Sequence, residues 1–180
     1  MTTQWKPILN KIGEILEATD PSAEAQLTEL MDSSPQIFVG GAGRSRLVGS
    51  FFVMRLMHAG YKAFLLGEIV TPSIGKDDLL IVISGSGNTP SMVAAAQRAK
   101  KEGAKVALIT AQKDSNVGDV ADHIFQMGNP EIFSKKEPGM PMGTMFELST
   151  LILLEGTIAH IIYEKGIPEE EMRSRHANLE

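Results

Sequence analysis

Five short apolar runs, most of them followed by a helix-like stretch, leave this chain few architectures to choose from. The runs are Gln36 to Val39, Lys62 to Leu66, Leu79 to Ile83, Lys105 to Thr110 and His123 to Met127. They are apolar at consecutive positions rather than at every second one, which is how a strand reads when both faces of its sheet are covered. The intervening helical patterns run from Ser45 to His58, from Pro90 to Glu102 with proline at a favoured first position, and from Thr144 to Glu164 before Gly166 and Pro168. Alternation of this kind predicts an α/β fold, a three-layer αβα sandwich around a five-stranded parallel sheet. The flavodoxin-like order 2-1-3-4-5 then sets strands one and three side by side at the switch point where ligands bind.

Ahead of the first strand, Trp5, Ile8, Leu9, Ile12, Ile15 and Leu16 recur at helical spacing until Asp20 and Pro21, and a shorter helix is predicted from Ser22 to Met31. Residues 1–32 therefore read as a helical segment packing on a single domain of residues 1–180, with 166–180 as a C-terminal tail. The stretch from Ser45 to His58 is apolar nearly all round, with Leu47, Val48, Phe51, Phe52, Met54, Leu56 and Met57. Such a helix has to be covered on more than one side, in part by another subunit.

Composition enters as a set of exclusions. With 43% hydrophobic and 22% charged residues among 180, neither disorder nor a membrane class is favoured. A formal charge of -5 leaves no basic stripe for nucleic acid; Lys100, Lys101 and Lys105 flank a helix end, where cations complement the dipole. The chain has no cysteine, hence no disulfide, thiolate metal site or cysteine nucleophile. No signal-peptide pattern and no apolar run long enough for a bilayer stand out, so a cytoplasmic protein without membrane contact is expected.

Two glycine-rich turns carry the chemistry. The first is Gly40-Gly41-Ala42-Gly43-Arg44-Ser45 and the second Ser84-Gly85-Ser86-Gly87-Asn88-Thr89, each between a strand and a helix. Glycine lets the backbone approach a ligand, the following helix offers free N–H groups, and Ser or Thr hydroxyls add donors, so a phosphate is the natural guest. Tight strand-to-helix connections use the same residue types, which keeps a purely structural reading open for either turn alone. The dinucleotide pattern is incomplete, its third glycine position being Arg46 or Pro90, and no Walker A sequence occurs, so neither NAD nor a nucleoside triphosphate is expected.

The segments Gly41-Ala42-Gly43-Arg44-Ser45, Met54-Arg55-Leu56-Met57-His58, Gly67-Glu68-Ile69-Val70-Thr71-Pro72, Ser84-Gly85-Ser86-Gly87, Pro141-Met142-Gly143 with Phe146-Glu147, and His176-Ala177-Asn178-Leu179-Glu180 resemble the sugar isomerase (SIS) domain family. Within it they resemble the 6-phospho-3-hexuloisomerases, over essentially the whole chain. The resemblance implies an isomerase that converts a hexulose 6-phosphate with its ketone at carbon 3 into fructose 6-phosphate through an enediol. It further implies no redox cofactor, a place in formaldehyde fixation by the ribulose monophosphate route, and a homo-oligomer, dimer or tetramer. Asn88 departs from relatives that carry an acidic residue there. Other sugar-phosphate isomerases of the fold, and sensors that bind without turnover, would share the two turns.

By this resemblance Glu147 is the candidate general base, although Thr144 and Glu147 also have the spacing of a capping box, in which the glutamate only caps the helix. His58 is a second catalytic candidate, against the ordinary reading of a histidine packed in a core or interface. His176 is a contributor from a neighbouring subunit. Gly43, Arg44, Ser45, Ser84, Gly85, Ser86, Gly87, Asn88 and Thr89 are expected around the sugar phosphate. His123 and His160 lack partners at metal-ligand spacing, so no catalytic metal is expected.

Overall fold

A computed structural model describes residues 3–134 and 138–179; Glu180, the last residue of the closing motif, and Met1 and Thr2 at the start lie outside that range. Five parallel strands form one sheet in the order β2-β1-β3-β4-β5. They are β1 (Ile37–Gly41), β2 (Ala63–Leu65), β3 (Leu79–Ile83), β4 (Lys105–Thr110) and β5 (His123–Gln126). The helices are α1 (Trp5–Glu17), α2 (Ala23–Asp32), α3 (Arg44–His58), α4 (Pro90–Lys101), α5 (Pro130–Ser134), α6 (Thr144–Lys165) and α7 (Glu169–Ser174). The fold class and strand order are those expected from the sequence.

Alternate strand residues feed two cores. Ile37, Val39, Leu79, Ile81 and Ile83 pack with α1, α2, α3 and α6 on one face, while Phe38, Leu80 and Val82 meet Met92, Ala96 and Ala99 of α4 on the other. Burial on both faces is the physical reason for the uninterrupted apolar runs. The strands β3 and β4 keep their expected bounds, β1 runs on through Gly40 and Gly41 instead of stopping before them, and the edge strands β2 and β5 shorten by a residue at their ends.

Three features of the helices differ from the sequence reading. α3 starts at Arg44, because Gly43 with φ 56° and ψ -128° is the capping residue, and Ser45 sits inside the first turn. The tail holds α7, whose first turn carries Glu169, Glu170 and Glu171 after Pro168; acidic residues at a helix start complement the dipole. α6 has 22 residues and is long and apolar enough to cross a membrane by length and composition, contrary to the expectation that no apolar run is long enough. Here it is a core helix, with Phe146, Leu153, Leu154, Ile158 and Ile161 buried.

Candidate active site

The register pairs Gly41 of β1 with Ile83 of β3, so the two glycine-rich turns leave neighbouring strands at the same end of the sheet. In the second turn the N–H groups of Gly85, Ser86 and Thr89 make no hydrogen bond to the described residues. Ser84 and Thr89 place their hydroxyls 3.3 Å apart beside them, and Thr89 caps α4 with Pro90 in the first turn. Unbonded N–H groups, hydroxyls and a helix start converge there, which is a geometry for an anion.

The turn is braced from behind. The Gly85 carbonyl accepts from the Thr110 hydroxyl and from the Ala111 N–H, each at 3.1 Å, and the Gly87 carbonyl accepts from the Val117 N–H at 3.0 Å. With the Gly85 carbonyl turned toward β4 and the segment after it, the Ser86 N–H on the other side of that peptide is left for a ligand, while the Asn88 N–H donates to the Ser86 hydroxyl.

Glu147 reaches this region from the first turn of α6. Its carboxylate is ion-paired with the Nε of Arg44 in the first turn of α3. The preceding residue, Phe146, packs its ring against Gly85. One helix start therefore touches both glycine-rich turns, through Glu147 at Arg44 and Phe146 at Gly85. The capping-box alternative is absent: Gly143 is the capping residue, the Thr144 hydroxyl donates to the Pro141 carbonyl at 2.7 Å, and no side chain caps the helix. The Glu147 side chain retains 13% of its exposure and Arg44 57%, so the pair has a buried acid end and an open basic end.

Both α3 and α6 start at the strand ends and run side by side, with a groove between them. At the Glu147 end a cavity of about 240 Å³ is lined by Arg44, Leu47, Phe51, Glu147 and Leu151. A larger one, about 670 Å³, lies at the other end among Arg55, His58, Glu155, Arg173 and His176. His58 and His176 stack there with ring centroids 5.2 Å apart, and the Arg175 Nη1 donates to the His58 carbonyl at 2.9 Å, tying α7 to α3.

The fold thus brings Arg44 to Glu147 and sets Phe146, at the same helix start, against Gly85, but it does not bring His58 there within one chain. His58 is fourteen positions after Arg44 on the same helix, roughly 21 Å away at about 1.5 Å per residue. His176 accompanies His58 rather than Glu147. Among the described residues no group of three or more His, Asp and Glu is arranged to hold a metal. The Arg44–Glu147 pair, the Phe146 contact and the links from Thr110 and Val117 carry no local sequence signal, since each joins segments distant in the chain.

A model of the SIS domain matches residues 29–152. The chain belongs to the SIS domain family. The match takes in both turns, His58 and Glu147, and leaves α1 and α7 outside. A 3-hexulose-6-phosphate isomerase of Methylomonas aminofaciens is 45% identical over 174 residues, 96% of each chain. One from Bacillus subtilis is 39% identical over 183 residues, 99% of each chain. A crystal structure from Methanococcus jannaschii, from which a molecular function of 3-hexulose-6-phosphate isomerase was inferred, has a TM-score of 0.84 at 37% identity over 96% of this chain and 97% of that one. These SIS relatives match at nearly full length on both sides.

Proposed function

We propose that this protein is a sugar-phosphate isomerase, and specifically that it converts D-arabino-hex-3-ulose 6-phosphate into D-fructose 6-phosphate. The observation that carries the reading is a carboxylate, Glu147, paired with Arg44 of one turn at a helix start that packs on the other, which offers unbonded N–H groups and hydroxyls. Near-full-length relatives named for the same reaction support it.

The phosphate occupies the Ser84–Thr89 turn and the helix start behind it. Arg44 exchanges its hold on Glu147 for the incoming sugar phosphate, as a charged fork can. The freed Glu147 carboxylate takes the proton from carbon 2, and the electron pair of that C–H bond forms the double bond of the enediol as the carbon 3 carbonyl oxygen gains a proton. Glu147 then returns its proton to carbon 3, and the hydroxyl at carbon 2 loses its proton to become the new ketone. Proton transfer by a positioned group contributes about 100- to 10,000-fold. No step calls for a metal or a redox cofactor.

The working form is a homo-oligomer of single-domain subunits. Leu47, Phe51 and Met54 on α3 are 66%, 49% and 58% exposed at i, i+4 and i+7. Burying that stripe against a second copy removes an apolar face from water and lets His58 and His176 reach a neighbour's substrate. His58→Ala is expected to lower turnover at least tenfold; an unchanged rate leaves the residue as packing alone.

The deciding experiment incubates the purified protein with the 3-ketohexose phosphate in deuterated water with a chelator. Fructose 6-phosphate is the expected product, carrying deuterium at carbon 3 in the fraction of turnovers in which the Glu147 proton exchanges with solvent before its return. Binding with neither fructose 6-phosphate formed nor carbon-bound hydrogen exchanged would make the protein a sensor, and turnover of a different sugar phosphate alone would move it elsewhere among the SIS isomerases.

A further inference from the structure

The anion turn contains a side chain that its donor chemistry leaves unexplained. The Asn88 carboxamide is engaged at both ends within the protein: Oδ1 accepts from the Asn116 N–H at 2.9 Å, and Nδ2 donates to the Ser86 carbonyl at 3.0 Å. A backbone N–H only donates and a carbonyl only accepts, so these two partners fix which end of the amide is oxygen. The Asn88 N–H in turn donates to the Ser86 hydroxyl at 3.2 Å.

The segment that supplies Asn116 closes on the turn at further points. Val117 donates to the Gly87 carbonyl at 3.0 Å. Ser115 is buried directly against Gly87, and its own hydroxyl accepts from the Gly118 N–H at 3.2 Å. Asn88 and Asn116 are both exposed at the rim, so the carboxamide closes the open end of an otherwise buried junction.

We propose that Asn88 is a positioning residue that clasps the anion turn to residues 115–118, setting the spacing of the turn's free N–H groups without touching the phosphate. This rests on the reading of that turn as the phosphate seat. Aspartate cannot take over the role: it keeps an acceptor for Asn116 but has no donor for Ser86, and it sets a carboxylate against a carbonyl beside the anion. The two ends of the clasp are therefore separable, since Asn88→Ala removes both and Asn88→Asp removes one.

The test uses the full chain with three readouts: amide hydrogen exchange at Asn116, titration with inorganic phosphate, and steady-state kinetics on the sugar phosphate. Asn88→Ala is expected to speed Asn116 exchange and to weaken phosphate about five- to tenfold, the size of one lost hydrogen bond. KM rises by the same factor while kcat stays within about twofold, because the carboxylate that moves the proton is untouched. Asn88→Asp is expected to keep Asn116 exchange slow and yet to weaken phosphate at least as much.

Weakened phosphate with Asn116 exchange unchanged in both variants would mean that Asn88 contacts the anion itself, and overturns the proposal. Unchanged phosphate affinity in both variants overturns it as well, as does a parallel loss of kcat and melting temperature. Should the wild-type chain turn over no hexulose phosphate, the proposed reaction fails while the exchange and phosphate arms still report on the clasp.

Discussion

In the turn after β1, a Cβ placed on Gly43 meets nothing within 4 Å, whereas in the turn after β3 one placed on Gly87 comes within 2.1 Å of the Ser115 hydroxyl. Both glycines have positive φ, 56° and 62°, and both turns lead from a strand into a helix, yet their surroundings differ. The second turn is fixed from behind through the Gly85 and Gly87 carbonyls and the ring of Phe146. The end of the first, at Arg44, reaches Glu147 through a charged side chain. In the proposed reaction, a fixed set of donors suits a phosphate whose position has to be constant. In the same proposed reaction, the long cation paired with Glu147 is suited to a group that changes partners.

The largest effect is expected where the two turns meet. Glu147→Gln keeps the shape of the side chain and removes the base, so turnover should fall by about 100- to 10,000-fold while phosphate titration and the melting curve stay close to wild type. Near-normal turnover would reject Glu147 as the base and dissolve the link between the turns.

Gly87→Ala comes next, because it adds overlap with Ser115 to the strain of positive φ. Together these should cost about 2 to 6 kcal/mol, seen as a lower melting temperature and at least tenfold weaker phosphate binding. Gly43→Ala meets open space and incurs only the backbone term, about 1 to 3 kcal/mol. Its melting temperature should fall less than that of Gly87→Ala; equal losses would erase the contrast between a packed turn and an open one. The smallest change is Arg44→Lys, which keeps the charge and loses the planar fork. A severalfold rise in KM with kcat nearly intact is expected from initial rates, and a collapse of kcat would instead assign Arg44 to the proton-transfer step.

The same division between local and distant contacts separates what could be read from residue order. Leu79–Ile83 and Lys105–Thr110 announce themselves as strands because a doubly covered strand is apolar at each position, and the switch point follows from strand order. The α7 helix was legible in principle, since Pro168 followed by three glutamates is a helix start. The distance between His58 and Glu147 could also have been foreseen in part, because a straight helix separates Arg44 from His58 whatever packs around it. The pairing of Glu147 with Arg44, by contrast, competes with a local capping box of the same residues, and spacing alone cannot rank the two.

By itself the sequence determined the layers, the direction of the sheet and the presence of two donor-rich turns, because these depend on hydrophobic periodicity and on turn chemistry within a few residues. Only the tertiary structure decided that Glu147 faces Arg44, that Phe146 backs Gly85, that Asn88 reaches Asn116, and that His58 looks toward the far end of the groove. Each of these is a contact whose energy exists only once the sheet has closed and brought remote segments within a few ångströms, so no local pattern encodes it.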